Sequence, residues 1–331
     1  MSLKIIAKEL GISVTTVSRA LNGYDDVSPE TRARVEAEAQ RRGYRPNTLA
    51  RRLKMGKIDA VGLVFPVRSS PLTSNVFLDM VGEISHELAR YEIDLLLIAD
   101  DEQADKHSYM RIVQSRRVDA LIVAHTLDDD PRLAQLLSSG FPFLALGRSH
   151  LQQPYAWFDF DNQAGTYSAT RYLIDRGHRR IALLGENNNQ AFITQRRNGY
   201  LQALRESGLA NSWLRSVPPT RRGGYQATLE LLRLPEPPTA ILTDSNIHGD
   251  GAAMALAQQG RLIGDNRISL VVYDGLPQDS IIETQVAAVI QSTRQGVGQQ
   301  IAGMVRRLIA GEDLATLQVL WQPEFSPAET A

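Results

Sequence analysis

The run from Leu3 to Asn22, LKIIAKELGISVTTVSRALN, most narrows what this chain can fold into. A small residue, Ala7, sits where two helices would touch, and Gly11 sits where the chain must turn sharply. Ile6, Ile12, Val17 and Leu21 are spaced to bury one shared apolar face. Ser13 can cap the second helix, which leaves Val14, Thr15, Thr16, Ser18 and Arg19 near its exposed start. The pattern predicts a helix-turn-helix. A helix presented by its N-terminal end suits the DNA major groove, where short polar side chains and an Arg reach base edges. Those five residues and Asn22 are therefore the expected DNA contacts. The same aliphatic spacing also occurs in plain helical bundles, so the flanking sequence has to decide.

The flanking sequence agrees. Ser28-Pro29-Glu30 is a helix start: Ser caps, Pro takes the first turn and Glu complements the dipole. This third helix is expected to run to about Arg42 and stop at Gly43. Asn47 can then cap a very short helix that ends at Gly56. Residues 1–57 carry a net charge of +6, and the remainder carries −7. A basic head on an acidic body is the charge footprint of a nucleic-acid reader whose body stays off the phosphates.

With 331 residues and 43% apolar composition, the chain can bury a substantial core and should hold two or three domains. It has no run of about eighteen apolar residues, so no transmembrane helix is expected. Lys4, Lys8 and Glu9 interrupt the N-terminal apolar residues, which argues against a secretory signal. The absence of cysteine excludes disulfides and thiolate sites. A cytoplasmic, nucleoid-associated protein fits these absences.

From Ile58 onward the pattern changes. AVGLVF, DLLLI, ALIV and PFLAL are short apolar runs separated by helical segments, as expected for parallel strands buried on both faces. A second series follows Asp161: IALLG, AILT, ISLVV and AAVI, again with helices between them. Two successive series predict two Rossmann-like lobes. Such lobes bind ligands at the carboxyl ends of their strands, and a cleft between two of them is a natural small-molecule site.

Two stretches, VSPETRARVEAEAQRRGYRPNTLARRLKMG and SVTTVSRALNG, resemble the repressors of the lactose-repressor type. Further on, AWFDFDNQAGTYSATRYLIDRGHRRIALLG, RRNGYLQAL and LVVYDG resemble the same family, so the resemblance covers essentially the whole chain. It implies an all-α helix-turn-helix headpiece plus an α/β sensor of two Rossmann-like lobes, similar to a type I periplasmic binding protein. The implied boundaries are a headpiece at 1–45, a hinge helix at 46–57 and a sensor at 58–331. The N-lobe would hold about 58–160 and 292–320, and the C-lobe about 161–291 and 321–331. Three crossings between lobes would fall near Asp161, Gln291 and Leu320. The implied partners are a palindromic operator DNA, a small-molecule sugar effector and a second copy in a homodimer, with no membrane. The ending QPEFSPAETA lacks apolar heptads, so no coiled-coil tetramerisation tail is expected.

The resemblance also implies roles for single residues. Val14, Thr15 and Arg19 match base-contacting positions, and Leu53 matches a leucine that wedges into the minor groove, with Asn47, Ala50 and Lys54 on the same hinge. Arg196 and Asp274 match the ligand-binding Arg and Asp, although neighbouring Arg197 could face inward instead. Asp161 and Asn162 match a DN pair near the crossover; as a structural Asx turn they would bind nothing. Where the family shows Asn-Asp after the strand AILT, this chain reads Asp244-Ser245-Asn246, and any of the three could serve. Phe77 and Arg68 occupy the aromatic position of the first lobe helix and the end of the first strand. Trp157 and Trp213 suit a core role better than sugar stacking.

AWFDFDN, VVYDGLPQDSII and AAVIQSTR further resemble members that regulate α-galactoside use, which implies melibiose or raffinose as effector. Another α-glycoside, a sugar phosphate or a purine remains the alternative ligand. An enzyme is less well supported: no G-x-G-x-x-G follows a strand, no G-x-x-x-x-G-K-S/T occurs, and the six histidines show no metal spacing. No cofactor or metal is expected. A sugar-binding transport protein would need the signal stretch that is missing.

Overall fold

The computed structural model describes residues 3–21, 24–44, 58–67, 75–101, 107–209, 213–291 and 296–331. Of the expected contact residues, Asn22, Asn47, Ala50, Leu53, Lys54 and Arg68 lie outside the described residues. The chain divides into two compact units, Met1–Asp59 and Ala60–Ala331.

The first unit holds α1 (Leu3–Leu10), α2 (Val14–Leu21) and α3 (Pro29–Arg41). Gly11 adopts φ +66°, the left-handed conformation that lets the chain reverse between α1 and α2 without a Cβ clash. The Ser13 hydroxyl accepts the Thr16 N–H at 3.0 Å, capping α2. Ser28 caps α3 through the Thr31 N–H at 3.3 Å, with Pro29 in the first turn. Gly43, at φ +61°, follows the end of that helix. Ile6, Ala7, Val17, Ala20, Val27, Val35 and Ala39 form the core, with Ile12 and Leu21 packed partly buried against it. Ala7 is small and buried, as close helix packing requires.

The second unit contains two six-stranded sheets. The first is ordered β2 (Asp94–Asp100), β1 (Ala60–Pro66), β3 (Ala120–Val123), β4 (Phe143–Leu146), β5 (Ala156–Phe160), β11 (Gln318–Trp321), all parallel. The second is ordered β7 (Trp213–Ser216), β6 (Ile181–Gly185), β8 (Ala240–Thr243), β9 (Ser269–Tyr273), β10 (Ala287–Ile290), β12 (Glu324–Ser326), parallel except for β12 against β10. The two sheets repeat one winding. The central strands are continuous buried apolar runs because helices cover both faces. In the first lobe, α4 (Asn75–Ala89) and α11 (Val297–Ile309) supply Phe77, Ile84, Leu88, Ile301 and Val305 to a core with Val61, Leu63 and Ile122. In the second, α7 (Asn162–Asp175) and α8 (Ala191–Glu206) cover one face, while α9 (Arg221–Leu232) and α10 (Asn246–Gln258) cover the other.

The backbone passes from the first sheet to the second after Phe160, returns between Ile290 and Val297, and passes again between Trp321 and Glu324. Several elements carry no clear sequence signal. Helix α9 contains Gly223 and Gly224, and glycine is unfavourable inside a helix. Their role is space: a Cβ on Gly223 would lie 2.5 Å from the Pro218 carbonyl oxygen, one on Gly224 would lie 2.3 Å from that of His248, and one on Gly251 of α10 would lie 2.0 Å from that of Arg221. The last two glycines let α9 and α10 touch backbone to backbone. Strand β7 is an exposed edge strand, and β12 has only three residues, so neither shows a buried apolar run.

Candidate functional site

A cavity of about 210 Å³ opens between the carboxyl ends of the two sheets. One water needs on the order of 10–15 Å³ by the same measure, so the space suits a ligand of many atoms. From the first lobe come Phe77 on α4, His125 and Thr126 after β3, Gly147 after β4, and Asp159 on β5. From the second come Asn162, Glu186 after β6, Gln190, Phe192 and Arg196, Ser245 and Asn246 after β8, Asp274 after β9, and Gln291 after β10. Most polar lining residues stand at or just past a strand end, where parallel sheets leave backbone and side chains open to a ligand.

Arg196 organises the polar end. It is 5% exposed, so its charge must be answered from within. Its Nε donates to Asn162 Oδ1 at 2.8 Å, one Nη donates to the Asp244 carbonyl oxygen, and the other lies 3.8 Å from Asp274 Oδ2. The guanidinium also covers the Tyr273 ring at 3.5 Å from its centroid. Asn162 Oδ1 accepts a second hydrogen bond from Gln291 Nε2 at 3.0 Å, and Asn162 Nδ2 donates to Phe160 O at 2.9 Å. Asn162, which orients Arg196, is thereby held in turn.

Asp274 is the incomplete member. Its Oδ1 is buried with no hydrogen-bond partner among the described residues. Burial pushes its carboxyl above the usual carboxylate range, against the pull of Arg196 and the Gln291 backbone N–H. Its backbone sits at φ +67°, a conformation that costs a non-glycine residue on the order of 1 kcal/mol, and its N–H is fixed to Val289 O at 2.7 Å. His125 has φ +53° and also lines the cavity. Strain of this kind persists where surrounding contacts over-determine it, as in ligand sites.

Asp159 is likewise raised by burial, against the Arg148 Nε that donates to it at 2.9 Å. Burial raises Glu186, and the Asp244 charge adds to it. His125 is depressed to about 4 by burial, so its ring is neutral at physiological pH. Phe77 and Phe192 meet that ring edge-on, at 5.2 and 6.0 Å between centroids. The lobes also join beside the cavity through a short antiparallel bridge between Leu127 and Gln190. Asp128 supports that bridge by accepting the Thr194 hydroxyl at 2.7 Å.

Of the residues expected from sequence, Arg196, Asp274, Ser245, Asn246 and Phe77 line the cavity. Arg197 faces outward to Asn187. Asp161 is not in the lining: its carboxylate caps α7 through the Ala164 N–H at 3.0 Å, and the next residue, Asn162, turns inward instead. Asp244 is also behind the wall; its carboxylate is consumed by His248 and the Glu186 N–H. Ser245 lines the wall mainly as the cap of α10. Trp157 lies under Arg148, and Trp213 packs on the second core, both away from the lining. Sequence reasoning missed His125, Asp159, Glu186, Gln190 and Gln291. Three of these immediately or closely follow apolar runs, the same signal that singled out Asp274.

In the headpiece, Val14 is 40% exposed, and Thr15 and Arg19 are exposed on the start and outer face of α2. Thr16 and Ser18 are half-buried. Arg19 pairs with Asp26 at 2.7 Å and lies over the Tyr24 ring. An exposed pair is worth about 0–1 kcal/mol, so Arg19 can exchange it for a guanine edge. Arg19→Ala is expected to cost roughly 1–3 kcal/mol at one base pair and to relax selectivity there. Binding titrations on operator variants check this; uniform weakening on every sequence would make Arg19 a phosphate contact.

A capped helix-turn-helix followed by a two-sheet sensor with a polar interlobe cavity defines a class of DNA-binding regulators. The chain belongs to the lacI family of bacterial regulatory proteins. Residues 2–47 match that family's model, and residues 58–325 match the model of periplasmic binding proteins and the sugar binding domain of the LacI family. Among individual proteins, it is similar to the HTH-type transcriptional regulator RafR of Escherichia coli, 63% identical over 330 residues, covering 100% of this chain and 98% of RafR. A crystal structure from Yersinia pestis biovar Microtus is 48% identical, with a TM-score of 0.78 over 82% of this chain and 98% of that one. The Lac repressor dimer, solved with operator and an anti-inducer, shares the fold at a TM-score of 0.86 and 24% identity, covering 100% and 98% of the two chains.

Proposed function

We propose that this protein is a homodimeric transcriptional repressor whose hold on a palindromic operator is set by an α-galactoside in the interlobe cavity. The observation that carries the ligand class is the buried Asp274 Oδ1, without a partner among the described residues, beside Arg196, Asn162 and Gln291. A carboxylate, a guanidinium and amides converging on one spot match the donors and acceptors of sugar hydroxyls. The choice of melibiose or raffinose rests on the likeness to RafR, a raffinose-operon regulator. Asp159, Glu186 and Asp274 would repel a phosphosugar dianion. The edge-on contacts among Phe77, His125 and Phe192 offer no parallel pair of faces for a purine.

We read the cavity as a binding site and not a catalytic one, in keeping with relatives that are regulators. Among the described residues no helix is long and apolar enough to cross a membrane, and we place the protein with its DNA in the bacterial cytoplasm. Two headpieces are needed because one reads only half a palindrome. Arg196, Asp274, Asn162, Gln291 and Asn246 are the proposed sugar contacts. Val14, Thr15 and Arg19 are the proposed base contacts, supported by Thr16 and Ser18.

Calorimetry against melibiose, raffinose, sucrose, maltose, a hexose phosphate and guanine tests the reading. Melibiose or raffinose should bind and should release a labelled operator. Binding of the phosphosugar or guanine alone would remove the α-galactoside assignment.

A further inference from the structure

Behind the cavity wall lies a buried histidine. His248, on the first turns of α10, is fully buried. Its Nδ1 is 2.7 Å from Asp244 Oδ1 and 3.0 Å from Ser245 Oγ, and its Nε2 is 2.8 Å from the Pro218 carbonyl oxygen. A carbonyl oxygen only accepts, so Nε2 must carry a proton. An ionised carboxylate also only accepts, so Nδ1 must donate to it. With Asp244 as the carboxylate, both ring nitrogens hold protons and the ring is an imidazolium, the state in which each of these contacts pairs a donor with an acceptor.

The pair is wired to the cavity at two points. Asp244 Oδ2 accepts the Glu186 N–H at 2.9 Å, its backbone N–H donates to Leu184 O at 2.9 Å, and its carbonyl receives Arg196. Gly185 leaves the room: a Cβ there would lie 2.5 Å from Asp244 Oδ2. On the other side, Pro218 precedes Pro219, which lines the cavity. We propose that His248, held as an imidazolium between Asp244 and Pro218, is a positioning residue that aims Arg196 at the effector and fixes the Pro219 rim. The proposal rests on Arg196 being a sugar contact.

The charged groups around His248 favour this state. Asp244 touches it from the β8 end, and Glu186 faces it from the β6 end. Arg196 reaches only the far carbonyl of Asp244, and Arg221 on the neighbouring α9 is turned to Asp250 and Asp279. Burial opposes the imidazolium, but the Asp244 bond and charge, the Pro218 carbonyl and Glu186 outweigh it and raise the ring above its usual 6.5. The sign follows from linkage. Stabilisation by the pair is fully present below that usual value and is lost as pH rises through the raised one. Deprotonation leaves a lone pair facing an acceptor oxygen, either at Pro218 or at Asp244.

Three measurements on the full chain test the proposal. Nitrogen-15 histidine spectra of the ligand-free protein should show His248 protonated on both ring nitrogens at pH 6.5, the usual imidazole value at which a free ring is half neutral; a ring mainly neutral there would overturn it. The Arg196 Nε–H resonance should be sharp and protected in the wild type and broadened in His248→Gln; an unchanged resonance would overturn the positioning role. Melibiose affinity should fall by up to about tenfold per pH unit above the ring pKa in the wild type, and should be weak and nearly flat with pH in His248→Gln. A variant with wild-type affinity and profile would also overturn it. If His248→Gln fails to fold, Asp244→Asn serves, since it keeps the carbonyl that Arg196 uses and should lower the His248 pKa by removing the charge that raises it. If melibiose binds at no pH, the effector assignment falls, while the two ligand-free signals still decide the role of His248.

Discussion

Asp274→Asn should raise the melting temperature of the ligand-free protein and weaken effector binding by roughly 10–100-fold. The two opposite signs have one cause. Asp274 Oδ1 is buried without a partner among the described residues, and the carboxyl is raised by that burial, so folding disfavours its charge at neutral pH. A neutral amide of the same shape removes a cost on the order of 1 kcal/mol. Asparagine also tolerates the φ of +67° at this position, so the backbone should not move. Arg196 keeps Asn162 and the Asp244 carbonyl, which limits the loss on its side. The missing charge removes the hydrogen bonds that a sugar hydroxyl would make to a carboxylate, each worth roughly 1.5–3 kcal/mol. Calorimetric melting and titration with melibiose check both signs. Lower stability together with unchanged affinity would make Asp274 an architectural residue. Operator affinity without effector should stay near wild type in either case.

Val17→Asp should abolish operator binding and leave effector binding untouched. Val17 is fully buried, one of seven small or medium side chains that form the headpiece core. An unpaired carboxylate there has no cation within the core, and burying one costs several kcal/mol. A three-helix unit of this size has little stability to lose. The sensor forms a separate compact unit with its own cores, so its melting transition and sugar titration should match the wild type. A single melting transition shifted as a whole would show that the two units fold together.

The headpiece was legible in the sequence because its signals are local. Ser13 and Ser28 cap the helices that follow them, Pro29 enters the first turn, and Gly11 takes the conformation a sharp turn demands. The sheets were legible for a related reason. A parallel strand covered on both faces must be apolar throughout, so ALIV and AILT announce themselves. Helix α9 was not legible, because Gly224 answers to α10 across the interface, while Gly223 makes room for the turn at Pro218 that leads into the helix. Its reason to be helical lies in a partner some thirty residues away.

The cavity divides along the same line. The motifs brought out Arg196 and Asp274, and the structure puts them 3.8 Å apart. At the crossover the sequence offered the pair Asp161-Asn162 and favoured Asp161 as the ligand contact, whereas Asn162 is the one that lines the cavity. The capping of α7 by Asp161 is what turns Asn162 inward. At Asp244-Ser245-Asn246, the buried His248 draws Asp244 behind the wall, while Ser245 caps the helix and Asn246 faces the cavity.

What the sequence determined by itself is what depends on near neighbours along the chain: the caps, the turn at Gly11, the buried strands and the division into a basic head and an acidic body. What only the tertiary structure decided is the company each strand end keeps. His125, Asp159, Glu186 and Gln291 are ordinary residues in the chain. They become one site because two separately wound sheets present their carboxyl ends to the same cavity. A side chain's partner across that space is set by packing and register, and neither is written in the residues beside it.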